Sequence, residues 1–359
     1  MKKMLSLLLA VLMLLGCVSA ASAEADADLV AAAKAEGELI VYGSCEEEYL
    51  TAATKHFEEL YGIKVSAQRL STGEVATKIE EENGNPSADV WFGGTNNPYD
   101  TVAAKGLLDN SYVPANAANL SKDIYKDPNG YWYGIYTGIL GFMVNKDELA
   151  RKGLEAPKTW DDLLKPEYKD LIWLSNYNTA GTAKLVVNTL LQMKGHDAGI
   201  QYLVDLDKNI QVYTKSGSGP SKNVGIGECT IGIGFLHDGI TQIVDNGYEN
   251  IELIIPADGT SCEIGPVATF KGAKHPNAAK LFMEYALSPE CVELGAKNGS
   301  YQFLVLNNAK QPEEAAKFGL DPSLVLDGYN FADAAENTAK YVEEVMAALG
   351  GGDDRFKTE

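Results

Sequence analysis

Short runs of β-branched and aromatic residues alternate along this chain with longer segments whose apolar residues recur every three or four positions, a pattern that predicts an α/β protein. Strands are expected at 38–42 (E-L-I-V-Y), 63–68, 88–92 (A-D-V-W-F), 171–174, 251–255 and 267–271. A long run dense in aromatics and glycine, 131–145, predicts a strand or strand pair crossing between two halves of the molecule, with Thr137 and Gly138 near the crossing. Helical stripes fall at Tyr49, Leu50, Ala53, Phe57 and Leu60, at Leu185, Val186, Thr189, Leu190 and Met193, and at Ala278, Leu281, Phe282 and Tyr285. A last stripe, Val342, Val345, Met346 and Leu349, marks a C-terminal helix.

The junctions carry the polar residues. Ser44 with Glu47, and Ser71 with Glu74, have the spacing of capping boxes, opening helices through about 60 and 82. Strand-to-helix turns rich in small and hydroxyl residues recur at 43–45, 71–74, 93–96, 175–182 and 216–220. Free backbone N–H groups and the helix dipole make such turns seats for anions or polar ligands, although Ser and Thr also cap helices with no ligand present. Ser44, Thr72, Gly73, Thr95, Thr182 and Ser216 are the candidate donors there, with Thr137 at the crossing. Glu46, Glu47 and Glu48 already occupy the dipole of the first turn, and Lys215 and Lys222 are the only cations expected close to these loops. The run 231–239, I-G-I-G-F-L-H-D-G, reads as a buried strand that stops on His237 and Asp238. Either Asp238-Gly239 is a simple turn, or the strand end faces a cleft, where ligands of open α/β sheets sit.

With 359 residues, 45% of them hydrophobic, and a mean hydropathy of −0.14, the chain suits two lobes of a globular protein. The expected division is a first lobe at 24–135, a second at 136–255, a return to the first at 256–300, a C-terminal helical segment at 301–349 and a tail at 350–359. Lys2-Lys3 and the apolar run 5–15 form a secretory signal within 1–23. Two processing sites compete: the A-x-A at 21–23, and Leu14-Leu15-Gly16-Cys17, similar to a lipobox that would leave Cys17 acylated. Either way the protein is exported by a bacterium, to the periplasm or the outer face of the cytoplasmic membrane. Without that segment, which has two lysines and no acid, the formal charge goes from −20 to −22 and disfavours nucleic acid or anionic membrane as partners. Cys45, Cys229, Cys262 and Cys291 lack the C-x-x-C spacing of a zinc site; export permits a disulfide, with Cys229–Cys262 the preferred pair. No cofactor is implied.

Three runs carry a family resemblance. Ala88-Asp89-Val90-Trp91 and Gly141-Phe142-Met143-Val144-Asn145-Lys146 resemble an "ADV" strand and the crossover strand of the solute-binding proteins of ABC importers. The run 271–290, K-G-A-K-H-P-N-A-A-K-L-F-M-E-Y-A-L-S-P-E, is similar almost position for position to the family's "KGAKNPEAAKKFIDFLLSPE". The resemblance spans about 38–294. It implies a two-lobe periplasmic-binding-protein-like fold of type II, closing as a monomer on a small ligand that is handed to a membrane permease. Within the family the chain looks closest to the ferric-binding-protein group. Iron-binding members use adjacent tyrosines near the position of 235–239; this chain has 18 tyrosines, no Tyr-Tyr pair, and His237-Asp238 there instead. A hexose-phosphate-binding branch carries a His-Asp pair and a G-x-x-x-E-I-G segment, which Gly259 to Gly265 matches with Glu263 as its acid.

On that correspondence His237, Asp238 and Glu263 receive sugar hydroxyls, and carboxylates suit that role because charge-assisted hydrogen bonds are the stronger ones. One of the helix-start loops would hold the phosphate, and sequence does not choose among them. Two rivals use the same residues: a metal-binding protein with His237, Asp238 and Glu263 as ligands, and a glycoside-acting enzyme with Asp238 and Glu263 as its acid/base pair.

Overall fold

The computed structural model describes residues 26–321, 329–350 and 354–356. The expected export segment, with its cleavage site and Cys17, lies outside the described residues. A first βα series comprises α1 (Ala27–Glu36), β1 (Glu38–Gly43), α2 (Glu47–Tyr61), β2 (Lys64–Arg69), α3 (Thr72–Glu82), β3 (Val90–Phe92) and α4 (Asn96–Ala104). After the short β4 (Leu108–Asp109) and the long β5 (Tyr133–Asn145), a second series follows. It runs α5 (Lys146–Lys152), β6 (Ile172–Ser175), α6 (Gly181–Lys194), α7 (His196–Asp207), β7 (Ile210–Thr214), α8 (Gly219–Val224), β8 (Ile231–Phe235), α9 (Leu236–Val244) and β9 (Ile251–Ile254). The chain returns along β10 (Cys262–Phe270), then α10 (Pro276–Ala286), α11 (Pro289–Val292), α12 (Leu294–Lys297), β11 (Phe303–Leu304), α13 (Glu313–Lys317) and α14 (Phe331–Ala348).

Helical crossovers make β1, β2 and β3 mutually parallel, and likewise β6, β7 and β8. Between these two groups lie β10 and β5, giving the order β2-β1-β3-β10-β5-β8-β6-β7. The start of β5 pairs with β10 and β11, whereas Leu140 onward pairs with β8 and β9. One strand therefore serves both sheets. All thirteen of its residues are buried, which explains why 131–145 reads as a continuous apolar run with no polar face.

Packing follows the predicted stripes closely. Ala278, Leu281, Phe282 and Tyr285 of α10 are buried, with Phe282 edge-on to Phe57 of α2 at 5.1 Å. Burial of Leu281 or Phe282 stabilises the fold by about 1.5–3 kcal/mol each. Leu60 departs from its stripe and is 51% exposed, because α2 is ending at the left-handed Gly62. The box at Ser71–Glu74 forms in full. That at Ser44–Glu47 does not: Glu46 occupies the N-cap, and Ser44 Oγ accepts from Trp91 Nε1 at 3.0 Å.

The preferred disulfide is not formed, and Cys45, Cys229, Cys262 and Cys291 are all free and buried. Register gives the reason. Cys262 pairs with Ile139 of β5, while Ile231, two residues past Cys229, pairs with Val144 on its other side. Five residues of strand separate those positions by about 16 Å, far beyond the reach of a disulfide.

The C-terminal helix α14 ties the halves together from outside the sheet. Thr338 Oγ1 accepts from Asn97 Nδ2 of α4 at 3.4 Å and from Asn188 Nδ2 of α6 at 2.8 Å. Asn97 also donates to Tyr329, and Gln192 of α6 to Asp333. Replacing Thr338 by Val leaves buried amide protons without acceptors, at a cost of about 1–3 kcal/mol. A thermal melt of Thr338→Val is expected to fall several degrees below wild type, with Thr338→Ser restoring most of the loss. An unchanged melt for the valine variant would show that this bridge contributes nothing.

Candidate functional site

All six strands of the two parallel groups end at one cleft, and the residues just beyond each of them line it. Ser44, Cys45 and Glu46 follow β1; Arg69 ends β2, with Ser71 and Thr72 after it; Gly94 and Thr95 follow β3. From the other half come Gly181 and Thr182 after β6, Gly217 and Ser218 after β7, and Phe235, His237 and Asp238 around the end of β8. Tyr136 of β5, Glu263 of β10 and Gln302 complete the wall. The cleft is shut on about 50 Å³, room for roughly four waters at about 10–15 Å³ each. Contacts between its lips hold it so: Ser71 Oγ and Gly73 N both donate to Thr179 O, at 2.7 and 3.1 Å, and Lys215 pairs with Glu74 at 2.7 Å.

At one end three helix N-termini meet. Thr72 opens α3, Thr95 caps α4 and Gly181 opens α6. They are so close that a side chain on Gly181 would overlap Thr95 Oγ1, and one on Gly94 would overlap Thr72 Oγ1. Thr95 N donates to Thr72 Oγ1 at 3.4 Å, while the buried Thr95 Oγ1 has no partner. Three dipoles and several hydroxyls directed at one point make a seat for an anion. Arg69 stands at the rim, held by long bonds to Cys45 O (3.3 Å) and Ser216 Oγ (3.4 Å).

The other end is acidic. His237 Nε2 lies 3.7 Å from Glu46, 3.9 Å from Asp238 and 3.7 Å from Glu263. The ring stacks on Phe235 and fits against the backbone at Gly138, where any side chain would strike it. Burial holds the imidazole down at about 4, so it is neutral near pH 7. Burial, together with repulsion from Glu46, raises Asp238 and Glu263 well above the carboxylate range. Glu46 moves the opposite way. Burial opposes its ionisation, but attraction to His237 and donors from Ser300 (2.6 Å) and Gln302 (3.0 Å) overcome it.

Of the ten residues singled out in the sequence, Ser44, Thr72, Thr95, Thr182, His237, Asp238 and Glu263 line this cavity, and Gly73, Thr137 and Ser216 do not. Gly73 is turned to Thr179 O; Thr137 Oγ1 donates to Glu263 O; Ser216 faces a neighbouring cleft with Arg69. His237 and Asp238 stand in the first turn of α9 rather than in a loop, and Glu263 is on a strand. Sequence reasoning missed Glu46, set aside as a dipole partner, and Arg69, nearer the cleft than the two lysines named. Both sit at parallel strand ends, the one signal that could have found them.

A family model described as bacterial extracellular solute-binding protein matches residues 85–321. The chain belongs to that family. It is a two-lobe binding protein of type II that works outside the cytoplasm as the solute-binding part of an ABC importer, and the family is one of binders rather than enzymes. A Haemophilus influenzae protein of unassigned function is 38% identical over 92% of this solute-binding protein and 97% of its own length. The periplasmic binding protein AfuA of Actinobacillus pleuropneumoniae, solved with fructose-6-phosphate, superposes with a TM-score of 0.83 at 34% identity, covering 88% of this chain and 99% of AfuA. The Fe(3+)-binding periplasmic protein of Serratia marcescens is 26% identical over 89% of this chain and 92% of its own.

The neutral His237 sets a pH dependence for this binding protein. In the unfolded chain the imidazole takes a proton near pH 6.5, whereas in the folded one it resists down to about 4. Between those values the unfolded state binds the extra proton, so stability falls as pH falls, by roughly 3 kcal/mol in full. The raised Asp238 and Glu263 act in the opposite sense, and both are retained in a His237→Gln variant. Melts at pH 7 and pH 4.5 are expected to show wild type losing several degrees more than His237→Gln. Equal losses would place the charged imidazole in the folded state.

Proposed function

We propose that this protein captures a phosphorylated sugar. The observation that carries the reading is a single cavity with an anion seat at one end and polyol acceptors at the other. Phosphate would sit where α3, α4 and α6 begin, taking hydrogen bonds from Thr72, Thr95 and Thr182 and their backbone amides, with Arg69 at the rim. Sugar hydroxyls would donate to Glu46, Asp238 and Glu263, and neutral His237 can accept at one nitrogen while donating from the other. AfuA, crystallised with fructose-6-phosphate, supports the class of ligand. The shut cleft is smaller than such a ligand, so binding requires the lips at Ser71, Gly73 and Thr179 to part and close again. The closed lobes would then dock on the permease, and reopening would release the sugar. A lipid anchor at Cys17 would keep the protein near that permease.

A thermal-shift screen against glucose-6-phosphate, fructose-6-phosphate, glucose and inorganic phosphate tests this. Sugar phosphates are expected to raise the melting temperature by several degrees at millimolar concentration, and glucose by far less. Asp238→Ala and Glu263→Ala should abolish the response. Gly181→Val should also abolish it, because its side chain fills the seat. A full response in all three variants would place the ligand elsewhere.

One observation favours a second reading. Single donor atoms of Glu46, His237 and Asp238 lie within 4.8 Å of one another, a spacing that can hold a metal ion. Stoichiometric iron or zinc in protein purified without chelator, lost together with the site in His237→Ala, would favour metal over sugar.

A further inference from the structure

The cavity is dipolar. Its anion seat gathers three helix N-termini, and its far end gathers three carboxylates around one imidazole. Among the described residues no Lys or Arg forms an ion pair with Glu46, Asp238 or Glu263; their shared neighbour is His237. Nor is His237 satisfied. It is 4% exposed, its Nδ1 has no partner, and its Nε2 points at the three acids from 3.7–3.9 Å, beyond hydrogen-bonding distance. The far end therefore holds more acceptors and more latent negative charge than a neutral polyol requires. A hydroxyl offers each carboxylate a donor but no charge. An ammonium offers three donors and a full positive charge at once, which clustered carboxylates can share.

We infer that the ligand is zwitterionic: an amino-polyol phosphate, such as a hexosamine phosphate, whose ammonium lies among Glu46, Asp238 and Glu263 while its phosphate occupies the helix-start seat. This rests on the phosphorylated-sugar reading and narrows it. Glu46 is the residue that turns a polyol site into a cation site. Ser300 Oγ and Gln302 Nε2 both donate to its carboxylate, which favours the ionised form beside the two other acids. Arg69 donates to Cys45 O and Ser216 Oγ rather than to these acids.

Isothermal titration of the mature protein at pH 7.5 with EDTA present tests the inference, using glucosamine-6-phosphate, glucose-6-phosphate, N-acetylglucosamine-6-phosphate and inorganic phosphate. The free amine is expected to bind at least tenfold more tightly than glucose-6-phosphate, and N-acetylation to remove that advantage. Glu46→Gln and Asp238→Asn, each first confirmed folded by its melt, should bring the amine-to-glucose ratio toward one. Tight glucose-6-phosphate binding without preference for the amine overturns the inference and leaves the sugar-phosphate reading standing. Failure of every sugar phosphate to bind overturns both. Stoichiometric uptake of Zn²⁺ or Fe³⁺ without EDTA, in competition with the amine and lost in the same two variants, would assign the acids to a metal and overturn the inference as well.

Discussion

The shared strand β5 is the constraint on which the rest depends. Because its two halves pair with different neighbours, each parallel group is held with its carboxyl ends toward the same gap. Loops separated by well over a hundred residues then converge, and none needs to be long. The cost of the arrangement is a strand that can present no polar face, and the sequence at 131–145 meets that demand with aromatics, glycines and β-branched residues. Tyr136 reaches the cavity from the edge of this strand, where its hydroxyl accepts from Gly94 N at 2.7 Å.

Convergence of strand ends also decides the electrostatics. The same geometry that directs three helix N-termini inward brings Glu46, Asp238 and Glu263 within reach of one another, in surroundings poor in water. Three adjacent carboxyls cannot all stay ionised there, and the protein treats them differently. Hydrogen bonds from Ser300 and Gln302 favour the ionised form of Glu46, while burial pushes Asp238 and Glu263 toward protonation. His237 could in principle neutralise the cluster but is too buried to hold a proton near pH 7. A site left in this state is poised for whatever donors or charge a ligand brings.

Much of this was legible in the sequence, because local rules and tertiary demands agreed over long stretches. Helix stripes such as Ala278, Leu281, Phe282 and Tyr285 and the box at Ser71–Glu74 are decided within a dozen residues, and the structure keeps them. Errors arose where a distant partner overrode a local pattern. Ser44 has the spacing of a cap, yet Trp91, forty-seven residues on, takes its hydroxyl. Glu46 looked like a helix-dipole partner because Ser300 and Gln302, which define its role, lie more than 250 residues away. Thr137 was one residue out: neighbours on a strand face opposite sides, and Tyr136 is the one that reaches the cavity. The disulfide failed for the same reason, since pairing register is a property of the assembled sheet.

The bridge at Thr338 has a mechanical consequence. Two adjacent strands, β5 and β10, would by themselves leave the halves free both to swing and to twist. A third tether through α14 grips α4 and α6 away from the sheet. Those two helices are also the ones whose starts, at Thr95 and Gly181, form opposite jaws of the anion seat. On the α4 side the tether grips Asn97, two residues past Thr95, so the C-terminal helix reaches the anion seat through a single turn of helix.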